Sequence, residues 1–200
     1  MTRRDSRSPA EPGASADQDA QGRPLVWNVA GLLGEGVGAM RDYVFDGVRL
    51  DLGDDLRLAA PVSGRVHLAR TNRGLLVDGD VTAVLAMECA RCLREIEVPI
   101  TAEFQQEARP SIDLATGAPV SADPADEEDD VVRLSDHHEL DLERSVREAI
   151  QLAEPIAPLD RPDCPGLCVV CGLPLDEGTH DHPEDDVDPR LEALRAFREE

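Results

Sequence analysis

Between Tyr43 and Arg109, apolar residues fall at roughly every second position, the signature of strands with one buried face. Val62, Val66 and Leu68 open the pattern. Thr71-Asn-Arg-Gly74 is a turn signal, because Asn and Gly tolerate positive φ. Leu75 to Met87 carries Val, Leu and Thr through a second long strand. Ile96, Val98, Ile100, Ala102 and Phe104 alternate through a third, between Glu95 and Glu107. Cys89 and Cys92 interrupt the run between them. The pattern predicts an antiparallel meander with this cysteine pair at one hairpin end.

Downstream the period changes. Asp141 is a candidate helix cap, and Leu142, Val146 and Ile150 follow at i, i+4 and i+8 with Ala149 beside them. Pro155 and Pro158 stop that helix. Asp188 and Pro189 supply a cap and first position for a last helix, with Leu191, Leu194 and Phe197 on one face. At the other end, Leu25-Val-Trp-Asn-Val29 begins the ordered part, and four glycines between Gly31 and Gly38 predict a loop. Residues 1–22 have the low hydrophobicity and scattered charge of a disordered tail. Residues 109–138 break the strand pattern. Within them, residues 121–130 hold six acidic side chains and no basic one, which reads as a solvated linker or as bait for a basic partner. The fold class that follows is α+β. It has an antiparallel β-meander sheet, C-terminal helices and a cysteine-knuckle zinc site. These form a single domain over 23–200, with an acidic loop over 109–138 and a disordered tail before it.

Charge narrows the partner class. The chain carries a formal charge of −22, with 20 basic side chains that are all Arg. Proteins that grip nucleic acid neutralise its phosphates with cations, so extensive RNA or DNA contact is disfavoured and a basic protein partner is favoured. Arg49, Arg57, Arg65, Arg70 and Arg73 lie in the strand region, so a local basic patch keeps direct RNA binding open. No apolar run approaches the ~20 residues of a membrane span, and the first residues lack the apolar core of a leader. The expected compartment is the cytoplasm, where thiols stay reduced.

In that compartment the cysteines point to metal. Cys89-Ala-Arg-Cys92 and Cys168-Val-Val-Cys171 are both C-x2-C, a spacing that turns two thiolates into one tight bend. Two such bends supply the four sulfurs of tetrahedral structural zinc. Gly172 follows the second pair, where backbone free of a Cβ can curl toward a sulfur. The expected ligands are therefore Cys89, Cys92, Cys168 and Cys171, with Cys164 as an alternative and His180 and His182 close enough in sequence to ligate. A thioredoxin-like redox pair would open a helix after a strand, and neither pair does. A zinc-dependent hydrolase would need an open position beside a general base, and His137-His138 offers no such setting. No phosphate-binding glycine loop or nucleophile elbow occurs. No enzymatic activity is expected.

Four stretches resemble the bacterial YceD proteins, also called the DUF177 family. They are Trp27-Asn-Val-Ala-Gly-Leu-Leu33, Met87-Glu-Cys-Ala-Arg-Cys-Leu93, and the run from Leu140 through Ile150 to Pro155. The fourth is Asp163-Cys-Pro-Gly-Leu-Cys-Val-Val-Cys-Gly172, with Asp188-Pro-Arg-Leu191 behind it. The resemblance implies a non-enzymatic factor in large-subunit ribosomal RNA accumulation and ribosome assembly. Its partner would be a basic ribosomal protein or a pre-ribosomal particle. Many relatives have a cysteine where this chain has Asp160, and a Cys-x-Cys where it has His180-Asp-His182. Those departures favour the two C-x2-C pairs as the ligand set.

Overall fold

A computed structural model describes residues 22–54, 56–121, 131–182 and 190. The expected tail, the acidic block beyond Ser121 and the last helix lie outside the described residues. Within them the chain forms two compact units. The first comprises residues up to Met87 and from Glu97 to Ile156; the second comprises Glu88–Ile96 and the residues from Ala157 on. None of the described helices is long and apolar enough to cross a membrane.

The first unit is a β-sheet unit. Its strands are β1 (Val26–Asn28), β2 (Met40–Val48), β3 (Arg57–Leu58), β4 (Val62–Arg70), β5 (Leu75–Glu88), β6 (Glu95–Arg109), β7 (Val132–Arg133) and β8 (Glu139–Asp141). The main sheet runs β2-β4-β5-β6-β7, with β3 paired to β5. β2 with β4 and β4 with β5 are antiparallel; β7 joins β6 in parallel. β1 and β8 form a separate antiparallel pair, setting Trp27 opposite Leu140. The sheet is thus mixed, and the 109–138 region contributes a strand to it as well as a loop.

The alternation read from the sequence becomes the core. Tyr43 and Phe45 on β2, Val62, Val66 and Leu68 on β4, and Leu75, Val77, Val81, Ala83 and Leu85 on β5 all point inward. Helix α2 (Glu143–Leu152) buries Val146, Ala149 and Ile150 in the same core. Leu142 is its cap residue, and Asp141 accepts the Glu143 N–H at 3.0 Å in the turn leading in. The glycine stretch expected to be a loop begins as a short helix, α1 (Ala30–Leu33), because Leu32 and Leu33 are drawn into the core. Burial of two leucines outweighs the helix cost of Gly31 (about 1 kcal/mol).

Candidate metal centre

The second unit has almost no apolar interior. Among its described residues, the buried side chains are Cys89, Cys92, Cys164 and Cys168, with only half-buried Ile96, Leu159 and Leu167 packed around the first three. So small a set of apolar contacts supplies little folding energy, and such units usually depend on a staple.

Both C-x2-C pairs fold into the same turn. The first lies between the end of β5 and the start of β6. Cys89 N–H donates to the Arg94 carbonyl at 2.9 Å, and Leu93 N–H donates to the Cys89 carbonyl at 3.0 Å. In the second, Cys168 N–H donates to Leu173 at 2.7 Å and Gly172 N–H to Cys168 at 2.8 Å. The residue after each pair adopts the left-handed conformation: Leu93 at φ 58° and Gly172 at φ 70°. Glycine does so at no steric cost; leucine does not. Leu93 is 59% exposed and gives up little packing if replaced. Leu93→Gly is therefore expected to stabilise the protein by up to about 1 kcal/mol, read as a higher melting temperature of the second unit.

Backbone N–H groups converge on the first sulfur of each pair. The Asp160 N–H, with those of Cys92 and Arg91, holds the Cys89 thiol down to about 6. The N–H groups of Cys171 and Val170, helped by the Cys171 and His182 side chains, hold Cys168 down to about 6. Both are thiolate-rich at neutral pH, the form that binds metal. For Cys92 the Arg94 N–H favours the thiolate, but burial and the neighbouring Cys89 and Cys164 thiols prevail and push it up. Three crowded thiols do not all ionise without a cation between them.

The structure divides the expected ligands. Cys89, Cys92 and Cys164 form one group with ligand atoms all within 4.8 Å of one another; Cys168, Cys171, His180 and His182 form another. The sulfurs of Cys89, Cys92, Cys168 and Cys171 do not gather into one group. Cys164, an alternative in the sequence, sits in the first, and the two histidines sit in the second. Such Cys and His groups could hold a metal ion. Missed in the sequence is how the segment after Ala157 is tied to the first turn. Ala90 N–H donates to Pro158 at 2.8 Å and Arg91 Nη1 to the Cys164 carbonyl at 2.9 Å. Gly166, at φ 84°, lies so close to the Arg91 carbonyl that a Cβ would come within 3.3 Å of it.

Charge completes the tie. Arg94 grips Asp176 in a fork, at 3.0 and 2.6 Å, and reaches Glu177 at 2.7 Å. Arg161 adds a second cation on Asp176 at 2.7 Å. Arg94, with Arg161 behind it, holds the Asp176 carboxyl well below the usual carboxylate range. A depressed carboxyl stabilises the fold above its unfolded value of about 3.9, and the stabilisation fades as pH falls through the folded value. Asp176→Asn is therefore expected to destabilise the second unit at neutral pH. The deficit should vanish well below pH ~4, which thermal melts across a pH series check.

The comparisons fit this organisation. A family model described as "Large ribosomal RNA subunit accumulation protein YceD" matches residues 77–198. Proteins named as uncharacterized from Mycobacterium tuberculosis and Mycobacterium bovis are each 40% identical over 134 residues, covering 64% of this chain and 58% of theirs. One from Mycobacterium leprae is 33% identical over 132 residues, covering 65% of this chain and 56% of its own. The chain thus spans under two thirds of the length of these relatives. No solved structure matches. With both cysteine turns inside a match that covers more than half of the chain, the chain belongs to the YceD family.

Proposed function

We propose that this protein supports accumulation of large-subunit ribosomal RNA in the cytoplasm by holding a basic ribosomal component, without catalysing a reaction. Zinc serves as a structural staple of the cysteine-rich unit. Family membership supports the ribosomal role. The observation that carries the partner class is the outward face of the sheet. Asp42 and Asp46 on β2, Asp78 and Asp80 on β5, and Glu103 on β6 all lie at outward positions of their strands. Arg65 and His67 are the basic side chains on the β4 outer face between them, and His67 already meets Asp42 at 2.8 Å. A face on which acidic side chains outnumber basic ones steers a positively charged partner. Direct RNA contact draws less support, because Arg70, one of its candidate arginines, donates to the Leu33 and Gly74 carbonyls at 3.2 and 2.9 Å.

The test joins two measurements. Depletion from cells is expected to lower mature large-subunit RNA and to shift sedimentation toward precursor particles. Capture from lysate is expected to retain a basic ribosomal protein after RNase treatment. Neutralising Asp78, Asp80 and Glu103 to their amides should weaken that capture several-fold and flatten its salt dependence. Unchanged ribosome profiles on depletion would refute the role, and capture abolished by RNase would refute the protein partner.

A further inference from the structure

We infer that the protein holds two metal ions, one within Cys89, Cys92 and Cys164 and one within Cys168, Cys171, His180 and His182. This rests on the structural-zinc reading above and refines it, since two C-x2-C pairs alone would suggest a single four-sulfur site.

The second group is a complete tetrahedral set. Zinc binds sulfur at about 2.3 Å and imidazole nitrogen at about 2.0–2.1 Å, which separates tetrahedral S and N ligands by about 3.6 Å and two S ligands by about 3.8 Å. Cys171 Sγ and His180 Nδ1 stand 3.5 Å apart. In the first group Cys89 and Cys164 Sγ stand 3.8 Å apart. Both spacings are those of ligands sharing one ion.

The histidines are oriented as ligands. His180 Nε2 lies 3.0 Å from the Pro174 carbonyl, which accepts only if that nitrogen carries the proton. The Nδ1 lone pair is then left facing Cys171, the carbonyl-to-imidazole arrangement common behind metal-bound histidine. His182 Nε2 is buried with no hydrogen-bond partner. A buried orphan nitrogen is costly, and a metal bond would satisfy it. Chain length lets the two groups lie apart. Cys164 and Cys168 are four residues apart, and extended chain covers up to about 13 Å in that span. The Pro165-Gly166 step, with Gly166 pressed on the first turn, sends the two cysteines to different groups. The first group supplies three thiolates and leaves one coordination position for a further ligand. Thiolate and imidazole donors with tetrahedral spacing select zinc among common divalent ions.

Untagged full-length protein is expected to carry two equivalents of zinc by elemental analysis. Zinc-edge X-ray absorption on the same unmutated sample should show mixed sulfur and imidazole ligation. His180→Ala/His182→Ala should lose about one equivalent and leave an all-sulfur protein shell, with Cys89→Ser/Cys92→Ser losing the other. One equivalent with only sulfur ligands, kept by the histidine variant, would overturn the partition and leave structural zinc standing. No bound metal would overturn both.

Discussion

Stripping the proposed zinc with a strong chelator is expected to unfold the residues from Ala157 to His182, together with the 88–96 turn, while the sheet unit stays folded. The two units draw on different sources of stability. The sheet unit buries a continuous set of Val, Leu, Ile and aromatic side chains from nearly every strand and from α2. The second unit buries cysteines, and its half-buried apolar neighbours are Ile96, Leu159 and Leu167. Structural zinc in small cysteine–histidine modules contributes about 10–16 kcal/mol at neutral pH. That is on the scale of the whole stability of an ordinary domain, about 5–15 kcal/mol. The Arg94–Asp176 fork, half-exposed, does not replace it. Hydrogen exchange is the direct readout. The amides of Leu93, Cys168 and Gly172, each donating within the two turns, should lose protection on chelation, and those of β4 and β5 should keep it. Zinc added back should restore the first set. Equal protection in both states would mean that packing, and not metal, holds the second unit.

Metal loss should also track acid. Cys89 and Cys168 are held near 6 by backbone N–H groups. Depressed thiols favour the ligating form above that value, so protons compete with metal as pH falls below it.

The strand pattern was legible because one face of each strand is buried and the other is not, from Leu75 to Glu88 and from Glu95 to Arg109. Alternation is a local signal, and so is C-x2-C, which placed the first turn at a hairpin end. Three features are not local. The pairing of Trp27 with Leu140 joins residues more than a hundred positions apart, and nothing in either segment names the other. The parallel addition of Val132–Arg133 to β6 rests on two residues after an acidic stretch that reads as a linker. The division of the cysteines depends on where Cys164 goes. Spacing to Cys168 is ambiguous, and only the contact of the Ala157–Cys164 segment with the first turn resolves it. For His180 and His182, the signal was present as two metal-ligating side chains nine and eleven residues after Cys171. Resemblance to relatives that carry a Cys-x-Cys at those positions set the histidines below the matched C-x2-C pairs. The short helix at Ala30–Leu33 was hidden in the opposite way, by glycines that read as a loop while two buried leucines decided the conformation.

Phe45→Ala is expected to cost about 3–5 kcal/mol, and Gly64→Ala about 3 kcal/mol, with the double variant costing less than their sum. Phe45 is one of only five Trp, Tyr and Phe side chains in the chain. Three of those meet here: Trp27 stands 5.4 Å from Tyr43 and 6.4 Å from Phe45, ring centre to ring centre. Phe45 is 2% exposed, so its truncation leaves a cavity walled by residues fixed in neighbouring strands. Gly64 sits directly opposite Phe45 in the β2–β4 register. It lies on the inward face, and the absence of a side chain there is what lets the tip of the ring reach over β4. A Cβ on Gly64 would fall 2.5 Å from the Phe45 ring and 2.3 Å from the Asp80 carbonyl on β5. The ring can move only by leaving the aromatic cluster, and the carbonyl only by breaking the β4–β5 ladder. In Phe45→Ala the first clash is gone and the second remains, so Gly64→Ala should still destabilise that background, but by less. Denaturant melts of the four proteins, followed through the sheet unit, give the coupling between the two sites. A coupling of zero would mean that Phe45 and Gly64 pack independently, against the register seen here.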